Sequence, residues 1–176
     1  MMTCRQGGYI SLRHNELRDM MASMMAEDFV DVEVEPNLQA VGEECLPGSA
    51  NRSEEARLDV RVRAFWGEAM QEAFFDIRVF HPLASSYRNT SLENLYRQHE
   101  RQKKREYGDR VRQVELGCFT PLVFSTTGGM ALEATTTFKR LASILAEKKN
   151  EPYPVVMRWL CARVSFSLLR SALACL

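Results

Sequence analysis

Hydrophobic positions along this chain change their period several times, and each change marks an element. From Ser11 to Ala26, Leu12, Leu17, Met20, Met21 and Met24 recur at helical spacing opposite His14, Glu16, Arg18 and Asp19, which predicts an amphipathic helix. Phe29 to Glu35 then alternates apolar and acidic residues with a period of two, the pattern of a strand, and Pro36 ends it. Val41 to Glu55 holds Pro47, Gly48 and Asn51 and reads as a loop. Arg57 to Val62 and Ala73 to Phe80 are apolar strand patterns separated by Ala64 to Glu72, and each carries one aspartate, Asp59 and Asp76.

After a loop from Pro82, Thr90-Ser91-Leu92-Glu93 fits a capping box in which Thr90 and Glu93 satisfy each other's backbone donors. The helix it opens is long. Leu92, Tyr96, His99, Lys103, Tyr107, Val111 and Val114 fall at steps of three and four and form one stripe. Phe119 to Ser125 is a further strand, Gly128-Gly129 a turn and Glu133 to Lys148 a helix. Val155 to Leu176 is the most apolar tract, with Pro154 suited to a first helical position. Arg158, Arg163 and Arg170 interrupt it, so it reads as a buried C-terminal helix and not as a membrane span. Its abrupt apolar ending suggests that the chain is a fragment. The predicted order is helix, three strands, helix, strand and two helices, an α/β fold in which the helix after the third strand can cross over to a parallel neighbour.

The two aspartates are where the pattern becomes chemical. Burying a carboxylate on an apolar strand is costly unless something compensates it, and two on neighbouring strands suggest a shared cation. By alternation, Leu58, Val60 and Val62 share one face and Asp59, Arg61 and Arg63 the other, while Asp76 shares its face with Phe74 and Arg78. Magnesium fits such a pair, because it binds through one or two carboxylates and fills its other positions with water and phosphate oxygens. Lys103 on the apolar stripe is the matching cation for charge developing on phosphorus, whereas Lys104 lies about 100° round the helix on the solvated face. Tyr107, one turn on, is placed to position Lys103 or a water. A structural reading stands beside this one: Asp59 and Asp76 as solvent-facing strand carboxylates paired with Arg61 and Arg78, Tyr107 as packing, and His81 and His99 as polar core residues.

Length and charge narrow the field without choosing. The 176 residues, 45% of them hydrophobic, suffice for one ordinary domain. The 23 basic and 23 acidic side chains cancel, so any attraction for nucleic acid must be local. It is offered by the long helix, where Arg97, Arg101, Lys103, Lys104, Arg105, Arg110 and Arg112 outnumber Glu100, Glu106 and Asp109, with an ordinary solvated face as the alternative. The five cysteines are odd in number with no Cys-x-x-Cys pair, which fits a reducing compartment and neither a disulfide scaffold nor a complete zinc site. Asn51-Arg52-Ser53 and Asn89-Thr90-Ser91 match a glycosylation pattern, but the N-terminus has no signal-peptide pattern. Ser125-Thr126-Thr127-Gly128-Gly129 lacks the lysine of a phosphate-cradling loop.

Leu-Asp-Val at residues 58–60, Phe-Phe-Asp-Ile-Arg-Val at 74–79, Lys-Lys-Arg-Glu-Tyr at 103–107 and Phe-Thr-Pro-Leu-Val-Phe-Ser-Thr-Thr-Gly-Gly at 119–129 together resemble the restriction-like endonuclease domain that follows the reverse transcriptase in some non-LTR retrotransposons. Arg13 to Asp19, Ala73 to Pro82 and Leu168 to Ala172 resemble C-terminal segments of retrotransposon-derived polyproteins of cnidarian and other animal genomes. That family is similar to the PD-(D/E)XK nucleases. The resemblance implies a restriction-endonuclease-like core over residues 1–150, with residues 151–176 a helix packed on the same domain. It also implies a magnesium- or manganese-dependent nuclease that nicks DNA for a reverse transcriptase, a nuclear place of action, and element RNA as a partner of a polymerase upstream. No small-molecule cofactor and no membrane are implied. Asp59 would be the first metal aspartate, Asp76 the second acidic position and Glu16 an added helical ligand, with Arg78 near the nucleic acid. Leu58 replaces the family's proline before the first aspartate, and Arg78 stands where a lysine is usual. In the retroelement branch that lysine comes from the following helix, here Lys103 or Lys104. Cys4 before Gly7-Gly8 resembles the last ligand of a zinc knuckle.

Overall fold

The computed structural model describes residues 8–42, 45–67 and 70–173. It is an α/β fold around a four-stranded mixed sheet. The first helix, α1, runs from Gly8 to Met25 and buries Leu17, Met21, Met24 and Met25, while Leu12 stays exposed. Strands β1 (Val32–Val34), β2 (Val60–Arg63) and β3 (Glu72–Phe80) follow. Helices α2 (Leu92–Lys103) and α3 (Asp109–Gln113) come next, then strand β4 (Cys118–Ser125) and helices α4 (Leu132–Lys149) and α5 (Tyr153–Leu173). Spatial order is β1-β2-β3-β4, antiparallel except for the parallel β3–β4 pair. Pro121 is tolerated within β4 because that strand is at the sheet edge. Cys4, Gly7 and Cys175 lie outside the described residues.

The order differs from the predicted one between β3 and β4. A single helix was expected there, but the chain forms a 3₁₀ turn at Ser85–Tyr87, then α2, a π turn at Lys104–Gly108 and α3. The π turn has a physical reason. An α-helix advances about 100° per residue, so steps of four drift by about 40° each. His99, Lys103, Tyr107 and Val111 are all four apart. The wider turn cancels part of that drift and keeps Tyr107 and Val111 buried against the sheet. The cap also moves by one residue: Ser91, not Thr90, accepts the Asn94 N–H, and Glu93 pairs with Arg97.

The sheet is the middle of three layers. On one face Val60, Val62, Phe75, Ile77, Leu122 and Phe124 pack against α1, α4 and α5. On the other, Phe74, Leu58 and Phe119 pack against Tyr107 and Val111, and Phe80 and Val123 against Leu95. Leu58 is therefore on the face opposite Val60, against strict alternation. Asp59 N–H donates to the Phe75 carbonyl at 3.1 Å, and Phe75 is also the register partner of Val60. Two residues of β2 thus oppose one of β3, a bulge that reverses the side-chain parity before it. Gly117 admits the close return of the chain into β4, since a Cβ there would lie 2.7 Å from the Glu72 carbonyl oxygen.

α5 is buried along Val156, Leu160, Val164 and Leu168, whereas Trp159, Phe166 and Leu169 remain exposed. It packs on α1 and α4.

Candidate active site

The bulge decides where Asp59 goes. Beyond it β2 leaves β3, so the Ile77 N–H that would have met a β2 carbonyl is free, and the Asp59 carboxylate accepts it through Oδ2. Its other oxygen, Oδ1, lies 2.8 Å from Nε2 of His14 on α1. An ionised carboxylate only accepts, so the imidazole donates. Asp76 sits one residue before Ile77, at the same fork, and meets Lys103, whose Nζ is 2.9 Å from Oδ2. Asp76 Oδ2 is thus buried with the Lys103 ammonium as its ionic partner. Lys103 also lies 3.9 Å from a Glu106 oxygen and 5.3 Å from the Tyr107 ring centre. Asn51 Nδ2 donates to the Tyr107 hydroxyl at 3.2 Å.

Four groups from four elements, His14, Asp59, Asp76 and Lys103, therefore form one electrostatic unit. Burial pushes the Asp76 carboxyl up to about 6; the Lys103 ammonium opposes this and the Asp59 carboxylate adds to it. His14 is raised, first by its hydrogen bond to Asp59 and against its own burial. Burial alone would lower Lys103, but Asp76 outweighs it and the net direction is up. Tyr107 is raised by burial, with the Asn51 hydrogen bond opposing. The fork opens into a cleft of about 600 Å³ lined by His14, Lys103 and Arg78 among others.

Among the described residues, no group of three His, Cys, Asp or Glu side chains is placed to hold a metal ion. Two carboxylates meet the needs of magnesium, which takes its remaining ligands from water and phosphate. Asp76 Oδ2 is buried beside the Lys103 ammonium, and the Asp59 carboxylate adds to the upward push on its pKa, a repulsion that a divalent cation between the two would relieve.

The other expected residues divide. Glu16 is two residues from His14, about 200° round α1, and faces α5, where its carboxylate is 3.4 Å from Arg170. It stands apart from Asp59 and Asp76. Lys104 pairs with Glu133, which leaves Lys103 as the lysine at the fork. Arg97, Arg101, Lys104 and Arg105 line a separate groove of about 680 Å³ on the outer side of α2. Arg110, counted with that basic run in the sequence, is fully buried and donates to the Asn51, Ser53 and Gln39 carbonyls at 2.8, 2.9 and 2.8 Å. Arg61 meets Asp31, Glu33 and Glu72, so it is not the partner of Asp59. His99 is buried with its pKa pushed down to about 4 by desolvation and then by Arg78.

Sequence reasoning missed His14. It was read as one polar residue on the solvated side of α1, and periodicity holds nothing that would pair it with a strand 45 residues away. No family model matches the sequence, and no curated protein is significantly similar to it.

Proposed function

We propose that the fork between β2 and β3 is the active site of a metal-dependent DNA endonuclease with a restriction-endonuclease-like core, from a retrotransposon-derived reverse transcriptase polyprotein. The observation that supports this best is that the buried carboxylates Asp59 and Asp76 and the Lys103 ammonium meet at one fork, beside a cleft that Lys103 and His14 line. Asp59 and Asp76 would hold a magnesium or manganese ion. When bound, such an ion supplies Lewis-acid polarisation of a phosphodiester and a water acidified towards neutral pH. His14 orients the Asp59 carboxylate through its 2.8 Å contact. The Lys103 ammonium, which offsets Asp76 in the free protein, has a phosphate oxygen as its alternative partner and stabilises charge as it develops there. The Tyr107 ring positions the Lys103 ammonium, which lies 5.3 Å from its centre. Arg97, Arg101, Lys104 and Arg105 offer phosphate contacts on the outer side of α2. In this reading the protein acts in the nucleus, and element RNA is bound by a polymerase upstream. Among the described residues no helix is long and apolar enough to cross a membrane.

The test is nicking of supercoiled plasmid DNA with magnesium or manganese, compared among the wild type, Asp59→Asn, Asp76→Asn and Lys103→Met. The expected outcome is metal-dependent nicking that falls about 100-fold or more in each variant. Nicking that survives in Asp76→Asn and Lys103→Met would sink the assignment. A second reading has its own observation: both Asp59 oxygens are already occupied, by His14 and by Ile77 N–H, and Arg78 replaces the usual lysine. On that reading the chain is a remnant that binds DNA without cutting it, and the wild type would retain plasmid without nicking it. A domain with neither activity would be an interaction module.

A further inference from the structure

We infer that Arg13 and Arg78 form a second phosphate subsite in the cleft beside the fork, which grips a single DNA strand in the same cleft that Lys103 lines. Six described arginines are buried or half-buried: Arg13, Arg18, Arg61, Arg78, Arg110 and Arg163. Four of them have carboxylate or carbonyl partners. Arg18 meets Asp19 and Glu35, Arg61 meets three carboxylates, Arg110 binds three carbonyls and Arg163 pairs with Glu27. Arg13 and Arg78 have neither a carboxylate nor a hydrogen-bond acceptor among the described residues, and these two line the same cleft.

Two half-buried guanidinium groups with no acid beside them make this concavity locally cationic, which is the chemistry that draws an anion. They come from different elements, α1 and β3, and so flank the cleft instead of forming one surface run. The same cleft is lined by Lys103, which ties it to the fork, and by Ser86, His81 and Tyr87, which supply hydroxyl, imidazole and aromatic surface. Planar guanidinium groups bind phosphate oxygens in pairs, which suits them to a phosphodiester backbone. A volume of about 600 Å³ is that of a small-ligand cleft, with room for a short stretch of one strand and not for a duplex. This subsite rests on the nuclease reading only for the identity of the ligand as DNA.

The experiment is fluorescence anisotropy of a labelled 12-nucleotide single-stranded DNA, in EDTA and across a salt series. The proteins are the wild type, Arg13→Ala, Arg78→Ala, their Lys counterparts, Asp76→Asn and the exposed α5 control Arg158→Ala. Each Ala variant is expected to bind about tenfold more weakly, and to lower the slope of log affinity against log salt by about 0.7, the share of one single-strand phosphate contact. The Lys variants should restore most of that slope, which separates a lost charge from a lost fold. Arg158→Ala should bind as the wild type does, and Asp76→Asn, which removes the charge held against Lys103, should bind more tightly. Wild-type affinity and slope in Arg13→Ala and Arg78→Ala would overturn the subsite. Because the measurement needs no cutting, arginine-dependent binding without nicking keeps the subsite and discards the nuclease. Nicking with arginine-independent binding does the reverse.

Discussion

Asp76 carries its own pH signature. Its carboxyl is pushed up to about 6 from 3.8, so between those values the native protein binds more protons than the unfolded chain. Stability must then fall as pH rises through that window, the reverse of what an exposed salt-bridged carboxylate does. Urea unfolding at pH 4 and pH 7 should show the wild type losing on the order of 2 to 3 kcal/mol relative to Asp76→Asn. Cation binding needs the ionised form, so metal-dependent nicking should vanish as pH is lowered through about 6, and a flat profile from pH 5 to 8 would contradict the ligand role. His14 adds the same sign. Its raised pKa gives stability that is complete below 6.5 and lost as pH rises through the folded value. At this scale the sequence was informative wherever a charge interrupted an apolar pattern, as Asp59, Asp76 and Lys103 do. His14, Arg13 and Glu16 share one amphipathic helix, and only the packing of α1 says which of them faces the fork.

The elements were legible where their period was long, and less so at their joints. Strict alternation placed Leu58 with Val60, but one extra residue at the bulge turned it to the other face and freed the Ile77 N–H for Asp59. The long helix was read as one stripe, and the stripe survives only because a π turn corrects its drift. Arg110 shows the limit most clearly. As one member of a charged run it looked solvated, yet it is the clamp that ties the 39–53 loop to α3 through three carbonyls. Arg110→Ala should cost about 3 to 5 kcal/mol, because it strips three carbonyls of their charged donor and leaves a cavity where a fully buried side chain stood. Limited proteolysis should then cut within residues 39–53. An unchanged urea midpoint would show that the loop is held by other contacts.

At the scale of the molecule, α1 stands between the site, to which it gives His14, and α5, which meets its other side. α4 and α5 close the core on the α1 face, where Leu160 is fully buried. Leu160→Ala should therefore destabilise the protein by about 2 to 5 kcal/mol while leaving the nicking rate at 25 °C unchanged. A change in that rate at full folding would reveal coupling between α5 and the fork. The sequence by itself determined the element types, most of the core-facing residues and the three charges out of place on apolar surfaces. Those follow from local periodicity, because a helix or strand repeats its environment every few residues. The tertiary structure alone decided which distant groups meet: His14 with Asp59, Lys103 with Asp76, and two arginines facing one cleft with no acid to hold them. Such meetings depend on a bulge, a π turn and the packing of three layers. Each of these shifts a side chain by one residue's rotation, a displacement too small for any pattern along the chain to record.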